Sequence, residues 1–482
     1  MRVTNTGARE ASRSEAMLFP VDETTHVALD EGPSTTDRQD TRLTRISATA
    51  DSFRDPAFME NRVAPIHRWV PWIAGFSGQF VEDVFREFLP NVLSQRPLVL
   101  DPFAGVGTSL VQAMLHGYDT VGFEINPYAA LAAQVKLRAD LLDERRLDEL
   151  IRTVEQIPQN WDGQTPPEQY RPAGFRSRIP FFSARVEPQI LGLLELLNSI
   201  PDKLLADLAR IAFGAVMVKV SNYTYEPSLG SRPGAGKPLL EDAHVSAIFA
   251  AKLREIHKDV IWLKSELSEN GYASTRREIC CTNFLTLQDQ LPSGSVDLMI
   301  TSPPYMNNYH YVRNTRPQLF WLSFVENSSD LRQLERDNFG KFWQTVRDVQ
   351  TIPLQCDHAE LARLVATIRE TRVESGAYGG PGWANYVASY FNDCDRFMRI
   401  LLHVLRHGGA GVVVIGNSII QGIPIATDQI LGDLAGNNGL TLEKIIPLRT
   451  KRVGASITAS SVRRGEKSAV TLYENAVVLR KR

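Results

Sequence analysis

Leu98-Val-Leu-Asp101-Pro-Phe-Ala-Gly105-Val-Gly107-Thr-Ser-Leu110 reads as a short buried strand, a glycine-rich turn and the start of a helix. Three apolar residues in a row suit a strand covered on both faces, as in a parallel sheet. Gly105 and Gly107 let backbone approach a ligand where a Cβ would clash. No lysine follows Gly107, so the turn lacks the ammonium that a phosphate loop places on nucleotide phosphates. The next apolar run, Thr120-Val-Gly-Phe123, ends in Glu124, about 20 positions beyond the turn. A carboxylate at the tip of a second strand is placed to accept from two ribose hydroxyls. It is equally placed to cap the helix entered at Asn126-Pro127.

A second informative stretch is Ser295-Val-Asp-Leu-Met-Ile300 followed by Thr301-Ser-Pro-Pro-Tyr305. Two consecutive prolines remove two backbone donors, so a central strand cannot continue through them. What remains is a rigid loop at a strand's carboxyl end, where open α/β sheets hold their ligands. It offers the Ser302 hydroxyl, the Pro303 carbonyl and the Tyr305 ring, with Pro304 stiffening the turn. That set suits a flat heterocycle bearing an exocyclic amine.

Together these segments resemble the amino-methyltransferases that modify DNA bases at exocyclic nitrogens with S-adenosylmethionine. The resemblance rests on Asp101, Pro102, Phe103, Ala104, Gly105, Gly107 and Thr108 for the cofactor's methionine end, and on Glu124 for its ribose. It rests also on Ser302-Pro-Pro-Tyr305 as the catalytic tetrapeptide. Upstream, Gly75-Phe-Ser-Gly-Gln-Phe80 looks like the family's first motif, with Phe76 and Ser77 near the methionine; Phe80 stands where the family has a second glycine. Asn283 occupies the place of an acidic residue that faces the adenine amine, and its amide can still accept that bond without charge assistance. The resemblance implies a Rossmann-like class I methyltransferase sheet, an α/β fold, carrying a large and mainly helical insertion.

Composition sets limits. At 482 residues, 43% hydrophobic and 22% charged, the chain is ordinary globular material and long enough for two or three units. No apolar run approaches the roughly 18–20 residues needed to span a bilayer, and the N-terminus has no apolar signal core, so a cytoplasmic protein is expected. Cys280, Cys281, Cys356 and Cys394 form no CxxC pair, which argues against a zinc ribbon or disulfide scaffold; no metal is expected. No Pro-Cys dipeptide is present, so the cysteine nucleophile of cytosine C5-methylation is missing.

Four stretches follow from these anchors: a polar and disordered tail over 1–55; cofactor motifs over 56–128; the helical insertion over 129–275, a candidate for target recognition; and the remainder of the sheet over 276–482. The last includes a charged helical part at 318–372, an amphipathic helix at 385–407 and a basic loop at 449–467 between two late strands. The net charge is −2, but only the face that follows phosphates needs to be positive. Arg449, Lys451 and Arg452 in the basic loop, and Asn307, Tyr309 and Arg313 after the catalytic loop, are the candidate DNA contacts. A solvated charge run accounts for the former equally simply, and core packing for the tyrosine. Ser221 to Lys237 mixes aromatic, amide and basic side chains on one loop, a composition suited to base stacking and phosphate binding.

A ring amine is a weak nucleophile because its lone pair is delocalised. Bonds from its two protons to Ser302 Oγ and the Pro303 carbonyl would localise that pair, while Tyr305 stacks on a base extruded from the duplex. In the family, serine at the first tetrapeptide position goes mainly with N4 of cytosine, and an acid or amide there with N6 of adenine. N4-cytosine is therefore favoured. RNA base methylation and a non-catalytic recognition subunit are the alternatives. The expected partners are double-stranded DNA and, for any cleavage, a separately encoded restriction nuclease.

Overall fold

The computed structural model describes residues 53–72, 75–89, 96–157, 166–225, 229–286, 291–307, 309–370, 382–451 and 471–482. Its strands are β1 (Leu98–Asp101), β2 (Asp119–Phe123), β3 (Tyr223–Tyr225), β4 (Leu229–Ser231), β5 (Arg277–Cys280), β6 (Val296–Thr301), β7 (Leu405–Gly416), β8 (Ser418–Ile420), β9 (Ile423–Ile425), β10 (Thr441–Lys451) and β11 (Leu472–Arg480). Seven of them form one sheet in the order β10-β11-β7-β6-β1-β2-β5. Counting only that sheet's members along the chain, the order is 3-2-1-4-5-7-6. β11 alone runs antiparallel to its neighbours, entering between β7 and β10. This is the strand order of the class I methyltransferase fold, a Rossmann-like sheet whose order reverses beside β1.

The residues explain the layers. β1 is buried throughout, and β6 nearly so, because helices cover both faces. On one face lie α2 (Thr108–Leu115) and α3 (Pro127–Leu137); α1 (Gly78–Phe88) packs under β6 and β11, and α13 (Gly382–Val404) with α14 (Thr427–Asn437) covers the other side. The insertion contributes α4 (Glu144–Glu155), α5 (Val186–Ser199), α6 (Lys203–Val216) and α7 (Val245–Glu269), whose apolar faces join the core of α2 and α3. Tyr128 on α3, 2% exposed, donates to the Ile211 carbonyl on α6 at 3.3 Å, so the insertion is packed onto the sheet layer rather than standing apart from it. After β6 come α8 (Tyr311–Asn314), α9 (Arg316–Trp321), α10 (Ser328–Asp337), α11 (Trp343–Val346) and α12 (Ala359–Glu370).

Three boundaries differ from expectation. The amphipathic helix ends at Val404, and β7 begins at Leu405, ahead of Gly408-Gly409, because Leu405 already pairs with Val296. Arg449 and Lys451 lie on strand β10, not in a loop; Pro447, which obscures the strand in sequence, sits at a register shift on the sheet's edge, where a missing donor is tolerated. Residues 53–55 are fixed rather than disordered. Arg54 donates to Asp83 on α1 at 2.9 Å, and Phe53 meets the Phe80 ring edge-on at 5.4 Å. The rest of the expected tail, and the basic segment from Arg452 to 470, lie outside the described residues.

Candidate active site

β1 and β6 are neighbours in register, Leu100 opposite Met299, so Asp101 and Thr301 end adjacent strands at one edge. Thr301 Oγ1 donates to Asp101 Oδ1 at 2.6 Å, the Phe103 backbone N–H to the same oxygen at 3.1 Å, and Ser109 Oγ to Oδ2. The carboxyl group is 1% exposed, and burial raises its pKa to about 6 against the pull of those donors. Asp101 thereby joins the glycine turn to the strand that delivers the Ser-Pro-Pro-Tyr loop.

The turn needs its glycines. Gly105 has φ +52° and Gly107 φ +84°; a Cβ on the first would come within 3.0 Å of Trp72 Nε1, and on the second within 2.9 Å of Ala133 Cβ. Gly107 is also the left-handed N-cap of α2. Beneath the turn, the buried Lys136 donates to the Val106 carbonyl at 3.0 Å. Glu124 closes the turn from the other side, accepting from the Gly105 N–H at 2.8 Å and the Asn126 N–H at 2.7 Å. Burial is the main influence on it and raises its pKa to about 7. The cap of α3 is Asn126, not Glu124: its side chain accepts from Tyr128 N and Ala129 N, and its Nδ2 donates to Thr315 Oγ1 at 2.7 Å. Replacing Asn126 with alanine should cost about 1–2 kcal/mol of unfolding free energy, measured by chemical denaturation.

Two connected hollows share Trp72, Phe103, Gly105 and Ser302. The smaller, about 310 Å³, is bordered by Phe76, Asp101, Ala104 and Thr108. The larger, about 720 Å³, is bordered by Pro102, Glu124, Asn283, Pro304, Tyr311 and Phe339. A carboxylate at the second strand, exposed turn backbone and aromatic walls fit S-adenosylmethionine, the methyl donor that this fold implies.

Several expected residues are placed differently from one another. Phe76 borders the smaller hollow, whereas Ser77 is fully buried as the N-cap of α1, accepting from Phe80 N at 3.2 Å and donating to the Asp55 carbonyl at 3.0 Å. Phe80, the departure from the resembled motif, packs on Phe76 with ring centroids 5.8 Å apart and leaves the hollow unobstructed. Asn283 Oδ1 accepts from Leu285 N at 2.8 Å, and Asn283 Nδ2 donates to the Asp337 carbonyl at 2.6 Å. Trp72 and Phe339 also border the hollows, and no local spacing in the sequence marks them; Tyr311, which follows the Ser-Pro-Pro-Tyr loop as a candidate to touch DNA or close the pocket, borders the larger hollow. Asn61 was missed too; it donates to the Phe76 carbonyl and accepts from Gly78 N, both at 3.0 Å, fixing the first motif against α2.

In the Ser-Pro-Pro-Tyr loop, Ser302 borders both hollows and donates to the Tyr305 hydroxyl at 3.4 Å. Tyr390 donates to the Pro304 carbonyl at 3.0 Å, while no described group donates to the Pro303 carbonyl. The Tyr305 ring lies against Gly416 at the end of β7, and burial raises its pKa well above the usual tyrosine range. Asn307 and Arg313 are exposed, and Tyr309 is half-buried with its ring edge-on to Tyr311 at 5.0 Å. Arg449 is ion-paired to Glu474, which is 4% exposed, so this guanidinium already has a carboxylate partner. Among the described residues no cluster of three or more His, Cys, Asp or Glu could hold a metal, and no helix is long and apolar enough to cross a membrane.

No family model matches the chain. The Type II methyltransferase M.AvaI of Nostoc sp. is 25% identical over 421 residues, 83% of this chain and 84% of that protein. M.BsoBI of Geobacillus stearothermophilus is 23% identical, covering 83% of each, and M.MvaI of Kocuria varians is 21% identical, covering 74% of this chain and 79% of its own; both are also Type II methyltransferases. Among solved structures, the rRNA methyltransferase aviRa of Streptomyces viridochromogenes aligns over 88% of this chain and 94% of its own at 10% identity, but with a TM-score of 0.27, too low to carry weight. Strand order and sequence relationship agree: the chain has the class I methyltransferase fold, and its relatives along most of its length are Type II methyltransferases.

Proposed function

We propose that the protein is a site-specific DNA methyltransferase acting on an exocyclic base amine, N4 of cytosine before N6 of adenine. The observation that carries the reading is the Ser302 hydroxyl, which borders both hollows at the carboxyl end of β6, next to the buried Pro303, whose carbonyl accepts from no described group. S-adenosylmethionine, when bound, supplies an electrophilic methyl carbon. Phe76, Asp101, Pro102, Phe103, Ala104, Gly105, Gly107 and Thr108 would hold its amino-acid end, Glu124 its ribose and Asn283 its adenine; Ser77 acts through the turn it caps.

The chain's own chemistry is directed at the amine. Ser302 Oγ and the Pro303 carbonyl each accept one amine proton, which favours a pyramidal nitrogen with a localised lone pair. The long Ser302 bond to Tyr305 uses the hydroxyl proton and leaves the oxygen lone pairs to accept from the amine. Pro304 and the Tyr390 bond keep the loop from following the base outwards. Tyr305 would supply the stacking face, and Tyr311 walls the larger hollow. The amine needs no strong base before attack, because it becomes acidic only once alkylated. Asn307, Tyr309, Arg313 and the basic residues Lys451 and Arg452 would contact the duplex; Arg449, held by Glu474, contributes mainly by fixing the edge of the sheet near Tyr305. Any cleavage would belong to a separately encoded nuclease. Mass spectrometry of nucleosides from treated unmodified DNA should show N4-methylcytosine. N6-methyladenine would change the base and keep the mechanism, whereas methylated RNA with untouched DNA would overturn the reading.

A further inference from the structure

We infer that Tyr390 and Ser418 are positioning residues for methyl transfer, holding the Ser302-Pro-Pro-Tyr305 loop in a fixed place against the larger hollow; the inference rests on the DNA-methylation reading above. The loop follows β6 and carries two prolines, so it has few backbone donors of its own with which to hold its shape. It is held by its carbonyls instead. From Pro303 to Met306 four carbonyls stand in succession, and three are occupied. Pro304 accepts from the Tyr390 hydroxyl at 3.0 Å, Tyr305 from the Asn307 N–H at 2.8 Å, and Met306 from Ser418 Oγ. Pro303 is the one that accepts from no described group. Two of the three donors are side chains from α13 and β8, 86 and 112 positions away from the carbonyls they hold. One grips the residue before Tyr305 and the other the residue after it.

Both donors are buried and seated by their neighbours. Tyr390 is 1% exposed, and its ring meets Phe339 edge-on with centroids 5.5 Å apart. Phe339 in turn meets Phe103 at 5.0 Å, and both border the larger hollow, as does Pro304. One side chain therefore touches the wall of that hollow with its ring and the loop with its hydroxyl. Gly340, at φ +74°, makes the room, since a Cβ there would collide with the Tyr390 ring. On the other side, Ser418 is buried just beyond the end of β7, two residues after Gly416. The Tyr305 ring approaches Gly416 so closely that a Cβ there would lie 3.3 Å from it. The end of β7 and the start of β8 thus seat the ring and hold the residue that follows it. In-line attack depends on the separation and angle between nitrogen and methyl carbon, and a misplacement of about 1 Å can cost about 10²-fold. A loop gripped on both sides of Tyr305 and tied to the wall of the hollow meets that demand.

The test uses the full chain, S-adenosylmethionine and a duplex carrying the site mapped from modified DNA. Tyr390→Phe keeps the ring beside Phe339 and removes only the hydroxyl; Ser418→Ala removes the other donor. Each should slow single-turnover methyl transfer about 10- to 100-fold. Affinity for S-adenosylmethionine and for the duplex should stay within a factor of about two, as expected for contacts that serve the transition state alone. The deciding readout is a double-mutant cycle with Ser302→Ala, which a merely structural role would not move. Ser302→Ala should slow the reaction less in Tyr390→Phe, and less in Ser418→Ala, than in the unmodified protein, because a displaced loop has already lost the geometry that its hydroxyl serves. Wild-type transfer rates in both single variants, or effects that multiply in full with that of Ser302→Ala, overturn the inference. An equal fall in S-adenosylmethionine affinity overturns it too, by assigning both residues to the upkeep of the hollow. Ser418→Ala keeps the test decisive even if Tyr390→Phe fails to fold. Failure of the unmodified protein to methylate any DNA would instead overturn the reading on which the inference rests.

Discussion

Ser302→Ala is expected to slow methyl transfer roughly 10²–10³-fold, because one of two groups aimed at the amine is lost where the nitrogen's charge changes. In barrier terms this is about 2.7–4 kcal/mol. Structural damage cannot account for a loss of that size. The only described bond of the Ser302 hydroxyl is a 3.4 Å contact with the Tyr305 hydroxyl, so its removal takes from that buried group only a long and weak partner. Stability should therefore fall by well under the 0.5–1.5 kcal/mol of an ordinary hydrogen bond. Cofactor affinity should stay within a factor of about two. Single-turnover assays separate the step from product release. A variant that transfers methyl at the wild-type rate would remove Ser302 from the chemistry and leave the Pro303 carbonyl as the sole orienting group.

The part of the site that was legible in sequence lies where one short segment carries both strand and turn. Leu98 to Thr108 contains its own strand, its own positive-φ glycines and its own helix start, so local chemistry determines it. The same holds for β6 running into Ser302-Pro-Pro-Tyr305. Glu124 was legible as an acceptor, but which of two jobs it does was not. That depends on Asn126 being the better cap, with two backbone N–H groups within its reach. Walls built from distant segments gave no signal. Trp72 reaches the turn because Asp259 on α7 accepts from Ile66 N at 2.9 Å and Trp69 Nε1 at 3.0 Å, a relation spanning some 190 positions. Phe339 enters from the far side of the catalytic loop through its rings with Phe103 and Phe397. β10 was hidden by Pro447, which an edge strand tolerates at a bulge and a central strand would not. Ser77 shows the converse case, a motif position whose side chain is engaged by the helix it starts.

Glu124→Gln should weaken S-adenosylmethionine binding about 10- to 150-fold, the loss of charge-assisted acceptance worth roughly 1.5–3 kcal/mol. Glutamine is the informative replacement. It keeps one oxygen to accept from the Gly105 or Asn126 N–H, whereas alanine would leave both donors without a partner and confound binding with a slackened turn. The carboxyl group adds a pH signature. Burial holds its pKa at about 7, above the ordinary carboxylate value, so the apo protein favours the protonated form below neutrality. The sign follows: between the unfolded and folded values the native state binds the extra proton, and this group's contribution to stability declines as pH rises through that window. Ribose hydroxyls donate best to the ionised form, so cofactor affinity should move the opposite way, rising from pH 6 and levelling once pH passes above about 7. Asp101, at about 6, titrates in both proteins and cancels when wild type and variant are compared at each pH. Calorimetric titration should therefore show a steeper rise of affinity with pH in the wild type than in Glu124→Gln, where, of the two carboxyls, only Asp101 still titrates. Parallel curves would place the ribose elsewhere and leave Glu124 as a clasp on the glycine turn.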